Sequence, residues 1–389
     1  MLNIDVLSNT MMIKKIFAFS LALLLSACGS DSSKQSQLTS EVAPGTTQNI
    51  ILMVGDGMGL TQISAAIEEY DRKLEMERFP VVGLSKTRSA KEQITDSAAG
   101  ATAFSIGVKT YNGAIGVDQH GRARETILEL LGNKGYATGL IATSVITHAT
   151  PASFYAHEDS RENYYQIAAD MKKAPLDLFI GGGRKHFENR TDPNNGKTDD
   201  RNLVEEMQAS GFSFVDSLAE LRKVNGKVGY FLADGHPEPI LKGRGDILPR
   251  SIPTAISHLR SRTERGFFLV VEGSQIDWGG HENKIDYVIS ELIDFDEAVG
   301  KALDYAEADG NTLVIVTADH ETGGLTLAGE PGEDGKTSYT KAGRQFATHG
   351  HTSAMVPVFA YGPGAELFSG VYDNHEIHAK MLQALALTK

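Results

Sequence analysis

The sequence has a single cysteine, Cys28, among its 389 residues. One cysteine cannot close a disulfide within the chain, which excludes the disulfide-stabilised scaffolds common among small secreted proteins. The chain is long enough to bury a large core, and 41% hydrophobic with 22% charged residues is typical of a globular protein. Its stability must therefore come from the size of that core or from bound metal ions.

Blocks of basic residues are also missing. The formal net charge is −13 at pH 7, whereas a nucleic-acid binder needs clustered Lys and Arg to neutralise phosphates. The nucleotide-binding patterns GxGxxG and GxxxxGK[ST] are absent as well. Nucleic acid is therefore not an expected partner, and a small anion would need a local positive site.

The apolar run near the N-terminus is too short to cross a bilayer as a mature helix. It covers roughly ten residues and follows Lys14 and Lys15, which is the pattern of an export signal. We expect residues 1–27 to be this signal, with translation beginning at Met11 or Met12, because the preceding residues fit no part of a signal.

The signal ends in the sequence LSAC, which resembles a bacterial lipobox. In that case Cys28 would be acylated and anchor the protein to a membrane; ordinary secretion with cleavage nearby is the alternative. Gly29 rather than Asp follows the cysteine, which favours the outer membrane, with the protein facing the periplasm or the cell surface. Residues 28–47 would form a flexible tether, because they are rich in Ser, Thr, Gln and Gly, and residues 48–389 the functional domain.

Short apolar runs alternate with amphipathic segments along this domain. That alternation predicts an α/β fold, a three-layer α/β/α sandwich with a mostly parallel central sheet. A helix is clearest between Tyr287 and Ala306, where apolar residues repeat every 3.6 positions. We expect residues 184–250 to leave the sheet as helices and loops, and residues 328–348 to form an exposed loop. The expected strands are Asn49–Val54, Ala137–Thr143, Leu176–Ile180, Phe267–Val271, Thr312–Thr317 and Pro357–Tyr361.

Polar clusters follow several of these strands: GDGMG, EGSQID and ADHETGG. Ligands of open α/β sheets bind beyond the carboxyl ends of the strands, so these clusters are expected to meet at one edge. Asp277 precedes His281 by four residues, and Asp319 directly precedes His320. Carboxylate oxygen with imidazole nitrogen is a ligand set that zinc accepts. An ordinary hydrogen-bonded pair is the alternative for each.

Further donors stand near these clusters. His349 and His351 precede the last expected strand and can supply a third nitrogen ligand. Asp56, Thr150 and Glu272 would make an oxygen-rich set suited to a harder ion such as magnesium. The sequence therefore predicts more than one metal ion at this edge.

The stretch TDSAAGATA places Ser97 directly after Asp96 at the expected start of a helix. Ser, Thr and Asp at such a position usually cap the helix by accepting backbone N–H groups. A hydroxyl there can instead be a nucleophile. The local sequence leaves both interpretations open.

The motifs occur together and in a fixed order: GDGMG, TDSAAGATA, HATPASFYAHEDSR, DLFIGGGRKHF, VVEGSQIDWGGH, VTADHETGG and HTSAMVPVFAYGP. In these motifs the chain from about Asn49 to the C-terminus resembles the alkaline phosphatase family. TDSA with a downstream TADH is a highly specific combination, whereas GDGMG alone is not.

The resemblance implies that Ser97 attacks phosphorus and forms a phosphoserine, while Arg161 binds the phosphate. It implies two Zn²⁺ and one Mg²⁺ as cofactors, with His351 the better match to the family's ligand and His349 a substitute. The implied ligands are Asp277, His281 and His351 for one zinc, Asp56, Asp319, His320 and the Ser97 oxygen for the other, and Asp56, Thr150 and Glu272 for magnesium.

Two positions beside the implied metals differ from some members of the family. His148 stands where certain members carry an acidic residue, and we count it as a candidate ligand of the third ion. Imidazole favours transition metals over magnesium, which makes magnesium the least secure assignment. Trp278 follows Asp277 and would cover the pocket, contact a leaving group, or simply pack.

By resemblance the expected function is a metal-dependent hydrolysis of small phosphate monoesters, outside the cytoplasm, by a homodimer. A phosphodiesterase or sulfatase of the same superfamily is the related alternative. A lipid-anchored protein that binds phosphate without hydrolysing esters is the alternative from another class; it would need Arg161 but not Ser97.

Overall fold

Strand β1 (Asn49–Gly55) is buried along its whole length. Successive side chains of a strand point to opposite faces of the sheet. Ile50 and Leu52 accordingly belong to one cluster of buried side chains, and Ile51 and Met53 to another. A strand with an unbroken apolar run such as Ile50–Val54 needs cover on both faces, so this segment alone requires three layers.

The structure is a computed structural model that describes residues 47–188, 190, 199–331 and 337–387. The expected export signal, Cys28 and nearly all of the tether lie outside the described residues. Within them, none of the helices combines the length and apolarity that crossing a bilayer requires.

Ten strands form the central sheet, in the order β14-β2-β13-β8-β1-β7-β3-β4-β6-β5. Only β13 runs antiparallel to its neighbours, so the sheet is mostly parallel. The fold is α/β, as the sequence predicts. The strands of this sheet are β1, β2 (Val81–Lys86), β3 (Ala137–Val145), β4 (Leu178–Gly182), β5 (Phe212–Val215), β6 (Lys227–Phe231), β7 (Phe267–Gly273), β8 (Thr312–Thr317), β13 (Val356–Tyr361) and β14 (Gly370–Asp373).

Helices cover both faces of the sheet. The predicted apolar stripe of the long helix is confirmed, because Val288, Leu292, Phe295 and Val299 are completely buried in one of the two cores. The helices are α1 (Leu60–Glu69), α2 (Ser97–Ile106), α3 (Ile127–Asn133), α4 (Ala149–Ala152), α5 (Tyr164–Met171), α6 (Leu203–Ala209), α7 (Leu218–Leu221), α8 (Ile247–Arg262), α9 (Ile276–His281), α10 (Ile285–Asp309) and α11 (Glu376–Ala384).

All six predicted strands are present, as β1, β3, β4, β7, β8 and β13. The expectation that residues 184–250 leave the sheet is wrong. Strands β5 and β6 lie in this segment, and β6 pairs with β4 so that the sheet continues to a new edge. Both strands are short and stand among polar and glycine-rich sequence, which hides their periodicity; aromatic contacts such as Phe179–Phe231, with ring centroids 5.0 Å apart, attach them to the core. Residues 189 and 191–198 of the segment lie outside the described part.

The expectation of an exposed loop over residues 328–348 is also wrong. Strands β10 (Leu325–Pro331) and β11 (Thr337–Phe346) form an antiparallel pair there, and residues 332–336 between them are not among those described. Another two-stranded pair joins β9 (Glu321–Thr322) to β12 (His351–Thr352). This second pair places the sequence after β8 beside the sequence before β13.

Candidate active site and metal centre

The polar clusters that follow β1, β7 and β8 lie at one edge of the sheet. These strands are neighbours and run parallel, with Val54 opposite both Glu272 and Thr317. The side chains that follow them form three groups in which the possible ligand atoms lie within 4.8 Å of one another. The groups are Asp277, His281 and His351; Asp56, Asp319 and His320; and Asp56, His148 and Glu272.

Buried carboxylates dominate this edge. Asp56, Glu272 and Asp319 have no exposed surface, and Asp277 is only 5% exposed. One oxygen of each of the first three accepts no hydrogen bond. Burial raises the pKa of Asp319 to about 6 and that of Glu272 to about 7, and burial followed by repulsion from Asp319 raises the pKa of Asp56. Carboxylates in such a place stay ionised only beside a cation and otherwise take up protons, so these orphaned oxygens fit bound metal ions.

In the first group, Asp277 faces two imidazoles. Its oxygens lie 3.3 Å from His281 Nε2 and 3.5 Å from His351 Nε2. The Nδ1 atoms of the two histidines lie 2.5 Å from the carbonyl of His349 and 2.9 Å from that of Thr95. A carbonyl only accepts, so each Nδ1 carries a hydrogen, and Nε2 is the nitrogen that each ring can offer to a metal ion. The hydrogen bond with Asp277 raises the pKa of His281 to about 9, so a metal ion at this place would displace a proton from that ring.

The two Nε2 atoms of His281 and His351 are 3.1 Å apart. Both nitrogens and the Asp277 carboxylate thus converge within 4.8 Å of one another, so this group fits a metal ion. The side chain of His349 lies outside the group, and its backbone carbonyl orients His281. Of the two candidate histidines, the structure brings His351 into the group.

In the second group, His320 is completely buried between two carboxylates. Its Nε2 lies 3.1 Å from an oxygen of Asp319 and 3.6 Å from one of Asp56. Thr322 donates its hydroxyl hydrogen to Asp277 and accepts from His320 Nδ1 at 3.1 Å. His320 Nε2 is therefore again the free nitrogen, and the second group also fits a metal ion.

Ser97 lies beside this second group. Asp96 is the N-cap of α2, with its Oδ1 accepting from the Ala99 backbone at 2.9 Å, and Ser97 is the first helical residue. The Ser97 hydroxyl oxygen is 3.2 Å from His320 Nε2 and 3.5 Å from Asp56 Oδ1. Asp96 therefore performs the capping, and the Ser97 hydroxyl faces the possible ligands.

The third group is a poorer match for a magnesium ion, because one of its possible ligands is an imidazole. Asp56 and Glu272 offer oxygens, and Thr150 is completely buried next to Glu272. His148 Nε2, however, lies 3.2 Å from a guanidinium nitrogen of Arg161. Because Arg161 can only donate, that nitrogen accepts, and the hydrogen of neutral His148 is on Nδ1, which has no partner. Burial, and then Arg161, lower the pKa of His148, so it stays neutral.

Arg161 is held near Ser97 by an ion pair. One guanidinium nitrogen lies 3.0 Å from Asp96 Oδ2, and Asp96 also accepts from the backbone of Gly113 at 3.0 Å. The same Asp96 caps α2, so the arginine and the start of the helix are positioned by one carboxylate. A guanidinium has a planar set of donors that matches two phosphate oxygens.

Two glycines allow the site to close. Gly57 has φ of +73°, and a Cβ there would stand 2.7 Å from the Cα of Asp277. A Cβ on Gly100 would stand 3.0 Å from the Cβ of Asp319. Side chains at these positions would separate the turn after β1 from α9, and α2 from the end of β8.

Three residues around the site, Glu321, Thr322 and His236, were not predicted from the sequence. Glu321 accepts from Gln62 at 2.6 Å, from the Gly324 backbone at 3.2 Å, and from the Thr352 hydroxyl, which follows His351. Glu321 and Thr322 lie within ADHETGG, so their motif was found but not their role. His236 comes from the segment expected to leave the sheet, and no local pattern marks it.

A sheet edge that gathers buried carboxylates and free imidazole nitrogens around a hydroxyl defines a class of protein, the metal-dependent hydrolases. Comparison with known proteins is more specific. The family model for alkaline phosphatase matches residues 47–342 and 332–387 in two overlapping segments. Alkaline phosphatase 3 of Bacillus subtilis (strain 168) is 36% identical over 87% of this chain and 89% of that protein, and the Escherichia coli (strain K12) enzyme is 33% identical over 87% and 86%. The chain belongs to the alkaline phosphatase family.

Solved structures agree with this assignment. The alkaline phosphatase from the Antarctic bacterium TAB5 is 44% identical, with a TM-score of 0.82 over 88% of this chain and 100% of that one. A variant of that enzyme in which a histidine is replaced by aspartate has Mg bound in its M3 site; it is 43% identical, with a TM-score of 0.82 over 89% of this chain and 100% of that one.

Proposed function

We propose that this chain hydrolyses phosphate monoesters to an alcohol and inorganic phosphate, with Ser97 as the nucleophile. One observation carries the assignment of Ser97: its hydroxyl oxygen is 3.2 Å from the free Nε2 of His320, at the point where the first two metal-ligating groups meet. The rings of His320 and His351 stack with centroids 3.5 Å apart, so these two groups adjoin each other beside Ser97.

The residues of the chain account for binding and for the covalent step. Arg161 would bind two oxygens of the phosphate with its planar donors. The Ser97 oxygen would form a bond to phosphorus while the alcohol oxygen leaves, giving a phosphoserine. Water would then attack phosphorus and break the bond to Ser97, releasing inorganic phosphate. Position 97 at the start of α2 also favours negative charge on its oxygen, because the helix dipole is positive there.

The first two groups would each hold Zn²⁺, and the third a Mg²⁺. Cations bound there would lower the pKa of a hydroxyl and stabilise charge on the attacking and leaving oxygens. The orphaned oxygens of Asp56, Asp319 and Glu272 support ions in the second and third groups. The convergence of Asp277, His281 and His351 supports an ion in the first. Magnesium has the weakest support, because His148 replaces an oxygen ligand and is hydrogen-bonded to Arg161. The magnesium-containing histidine-to-aspartate variant of the TAB5 enzyme is in line with that view.

The test of the nucleophile is a Ser97→Ala variant, with Ser105→Ala as the matched control because Ser105 is buried in the same helix. The metal-loaded enzyme should become radiolabelled on Ser97 when it is quenched with acid during turnover of a labelled monoester. Ser97→Ala should lose the label and at least about 10³-fold in kcat/KM, and Ser105→Ala should keep both. Undiminished hydrolysis by Ser97→Ala would rule the assignment out.

A monoester and a diester of the same alcohol separate the related activities. Arg161 supports the monoester, because a terminal phosphate dianion offers more oxygens to its donors. A faster diester, or a faster sulfate ester, would reject the preference. Binding of phosphate without turnover of any ester would instead favour a phosphate-binding lipoprotein.

Residues 1–27 would direct export, and the lipid on Cys28 would anchor the domain 48–389 to the outer membrane through the tether 28–47. The basis is the charged start, the short apolar run and the LSAC sequence. Labelling with a fatty acid in cells tests it. Wild type should carry the label and sediment with membranes, and Cys28→Ala should lose both; an unlabelled, soluble wild-type protein would indicate ordinary secretion to the periplasm. Light scattering on the purified domain tests the proposed homodimer.

A further inference from the structure

A cavity of about 800 Å³ lies between residues 236–242 and residues 278–287. Pockets of roughly 300–1,000 Å³ with mainly apolar walls and a few polar groups are typical sites for small organic ligands. None of the residues that line the cavity belongs to the three metal-ligating groups. The apolar side chains of the lining are Pro237, Pro239, Leu241, Trp278, Ile285 and Tyr287.

The two walls are joined by the buried side chain of Gln275. Its amide nitrogen donates to the carbonyls of Pro237 at 2.9 Å and Thr143 at 2.8 Å, and its amide oxygen accepts from the Tyr287 hydroxyl at 2.7 Å. Pro237 lies on one wall and Tyr287 on the other, whereas Thr143 lies near the carboxyl end of β3. The cavity is therefore held open at a fixed place relative to the sheet.

One end of the cavity adjoins the phosphate site. Trp278 directly follows Asp277, and its ring centroid is 4.7 Å from that of His236 and 6.2 Å from that of His148. His148 in turn contacts the guanidinium of Arg161 at 3.2 Å. The Trp278 end of the cavity is therefore linked to Arg161 through successive contacts of Trp278 with His148 and of His148 with Arg161.

The charges around the cavity nearly cancel. Glu238, Glu282 and Asp286 face Lys242 and Lys284, and Lys284 pairs with Glu282 at 2.5 Å. A second phosphate or carboxylate on the ligand would find no excess of positive charge here. The near balance of charge favours an uncharged group, and the six apolar side chains offer it surface to contact.

A planar ring suits the end next to Trp278. Aromatic side chains bind rings through stacked or edge-to-face contacts. The Val145 backbone N–H donates to His236 Nδ1 at 3.2 Å, so the hydrogen of neutral His236 is on Nε2. His236 can thus donate to an oxygen or nitrogen on the edge of such a ring.

Resting on the proposed function, we propose that this cavity binds the alcohol portion of the phosphate monoester and favours leaving groups that carry a planar aromatic ring. Trp278 and Leu241 would contact the ring, and Gln275 would position the walls. The segment that continues the sheet beyond β4 would then contribute to substrate binding, because it supplies one entire wall of the cavity.

The experiment compares two non-hydrolysable inhibitors of the metal-loaded enzyme, methylphosphonate and 2-naphthylmethylphosphonate. Both present a phosphonate to Arg161, and only the second has a ring for the cavity. We expect the naphthyl compound to inhibit roughly tenfold more tightly in the wild type, from the apolar area that the ring buries. The ratio of the two inhibition constants is the measured quantity, so a general loss of phosphate binding cancels.

Leu241→Ala should reduce that ratio about threefold, and Trp278→Ala should bring it close to one. Val371→Ala is the control, because Val371 and Leu241 are both 60% exposed and Val371 lies on the edge strand β14, outside the cavity; it should keep the wild-type ratio. Equal inhibition of the wild type by both compounds, or an equal loss in the control, would overturn the inference. If the proposed function is wrong, a different result is expected: methylphosphonate does not bind and no monoester is hydrolysed. That result would reject both proposals.

Discussion

Two buried acidic clusters of this protein are built differently. On α10, Glu291 and Asp294 are 2% and 6% exposed, and Arg244 contacts them at 2.5 and 2.8 Å. At the edge of the sheet, Asp56 and Asp319 are buried as deeply, and an oxygen of each lacks a donor. The chain supplies its own cation, Arg244, to the first cluster, and the described residues leave oxygens of the second without a donor.

Removal of bound metal ions should give the largest difference between the two clusters, because only the cluster at the edge of the sheet would lose its cations. A chelator should abolish hydrolysis, by at least about 10³-fold, because the attacking oxygen loses the charge that activates it. Zn²⁺ should restore activity, and Mg²⁺ alone should not. Rates with a chromogenic monoester before and after readdition provide the measurement, and a stripped protein that keeps its full rate would contradict both the comparison and the mechanism.

Arg244→Met should break the other cluster. It leaves Glu291 and Asp294 buried without their cation, which costs about 3–5 kcal/mol of the free energy of unfolding. Denaturant unfolding measures the loss, and metal content per folded protein should not change. Arg250→Met is the control, since among the described residues the ion pair of Arg250 is with the exposed Asp246. A stable Arg244→Met protein with less metal would show that the clusters are not independent.

The pH dependence of stability sharpens the same contrast. Burial raises the pKa of Asp294 to about 6 from 3.8. The folded state therefore binds this proton more tightly than the unfolded state, and the stability present below the unfolded pKa is lost as pH rises through about 6. Asp294→Asn has no proton to lose at this position, so its stability does not fall over this range. Relative to the wild type, its free energy of unfolding should therefore rise by about 2 kcal/mol between about pH 4 and pH 7. A constant difference would contradict the assignment.

Thr322→Val tests the contacts behind the metal ligands. The hydroxyl joins His320 Nδ1 to Asp277 and so holds one ligand from each of the first two groups. Its loss should lower zinc affinity or activity about 10–100-fold. Zinc competition with a chromogenic chelator measures the affinity directly. Thr326→Val, at an exposed position of β10, should have no effect, and an equal effect of both would show that Thr322 only stabilises the fold.

His148→Asp should have the smallest effect. The change gives the third group another oxygen ligand, and we expect the magnesium concentration for half-saturation to fall roughly tenfold. Aspartate would also compete for Arg161, so inhibition by inorganic phosphate should weaken. Calorimetric titration with Mg²⁺ measures the first effect, with His236→Asn as the control. Unchanged magnesium affinity would mean that His148 does not face the third ion.

The regular part of the fold was predictable because its signals are local. A strand buried on both faces is apolar at every position, as in β1, and an amphipathic helix repeats every 3.6 residues, as in α10. Strands β5 and β6 escaped prediction because each has only four or five residues. Their place in the sheet depends on pairing with β4 and on packing against Phe179. Neither contact can be predicted from the residues of these strands alone.

For the candidate site, the residue types and their place after strands came from the sequence, and the family resemblance implied their roles. The sequence left open the choice between His349 and His351, because that choice depends on the direction in which each side chain points. His351 Nδ1 reaches the carbonyl of Thr95, 256 positions away, and the carbonyl of His349 turns His281 toward the same point. The cavity beside Trp278 could not be predicted from the sequence either, because its walls come from two segments that are far apart along the chain.

The sequence by itself determined the three layers and the set of carboxylates and imidazoles at one edge of the sheet, since burial patterns and strand ends are properties of short segments. Only the tertiary structure decided which nitrogen of each histidine is free, which acids lack a cation, and where a leaving group finds space. Those properties arise from contacts between atoms that are far apart along the chain, and hydrogen-bond direction and desolvation exist only once the contacts have formed.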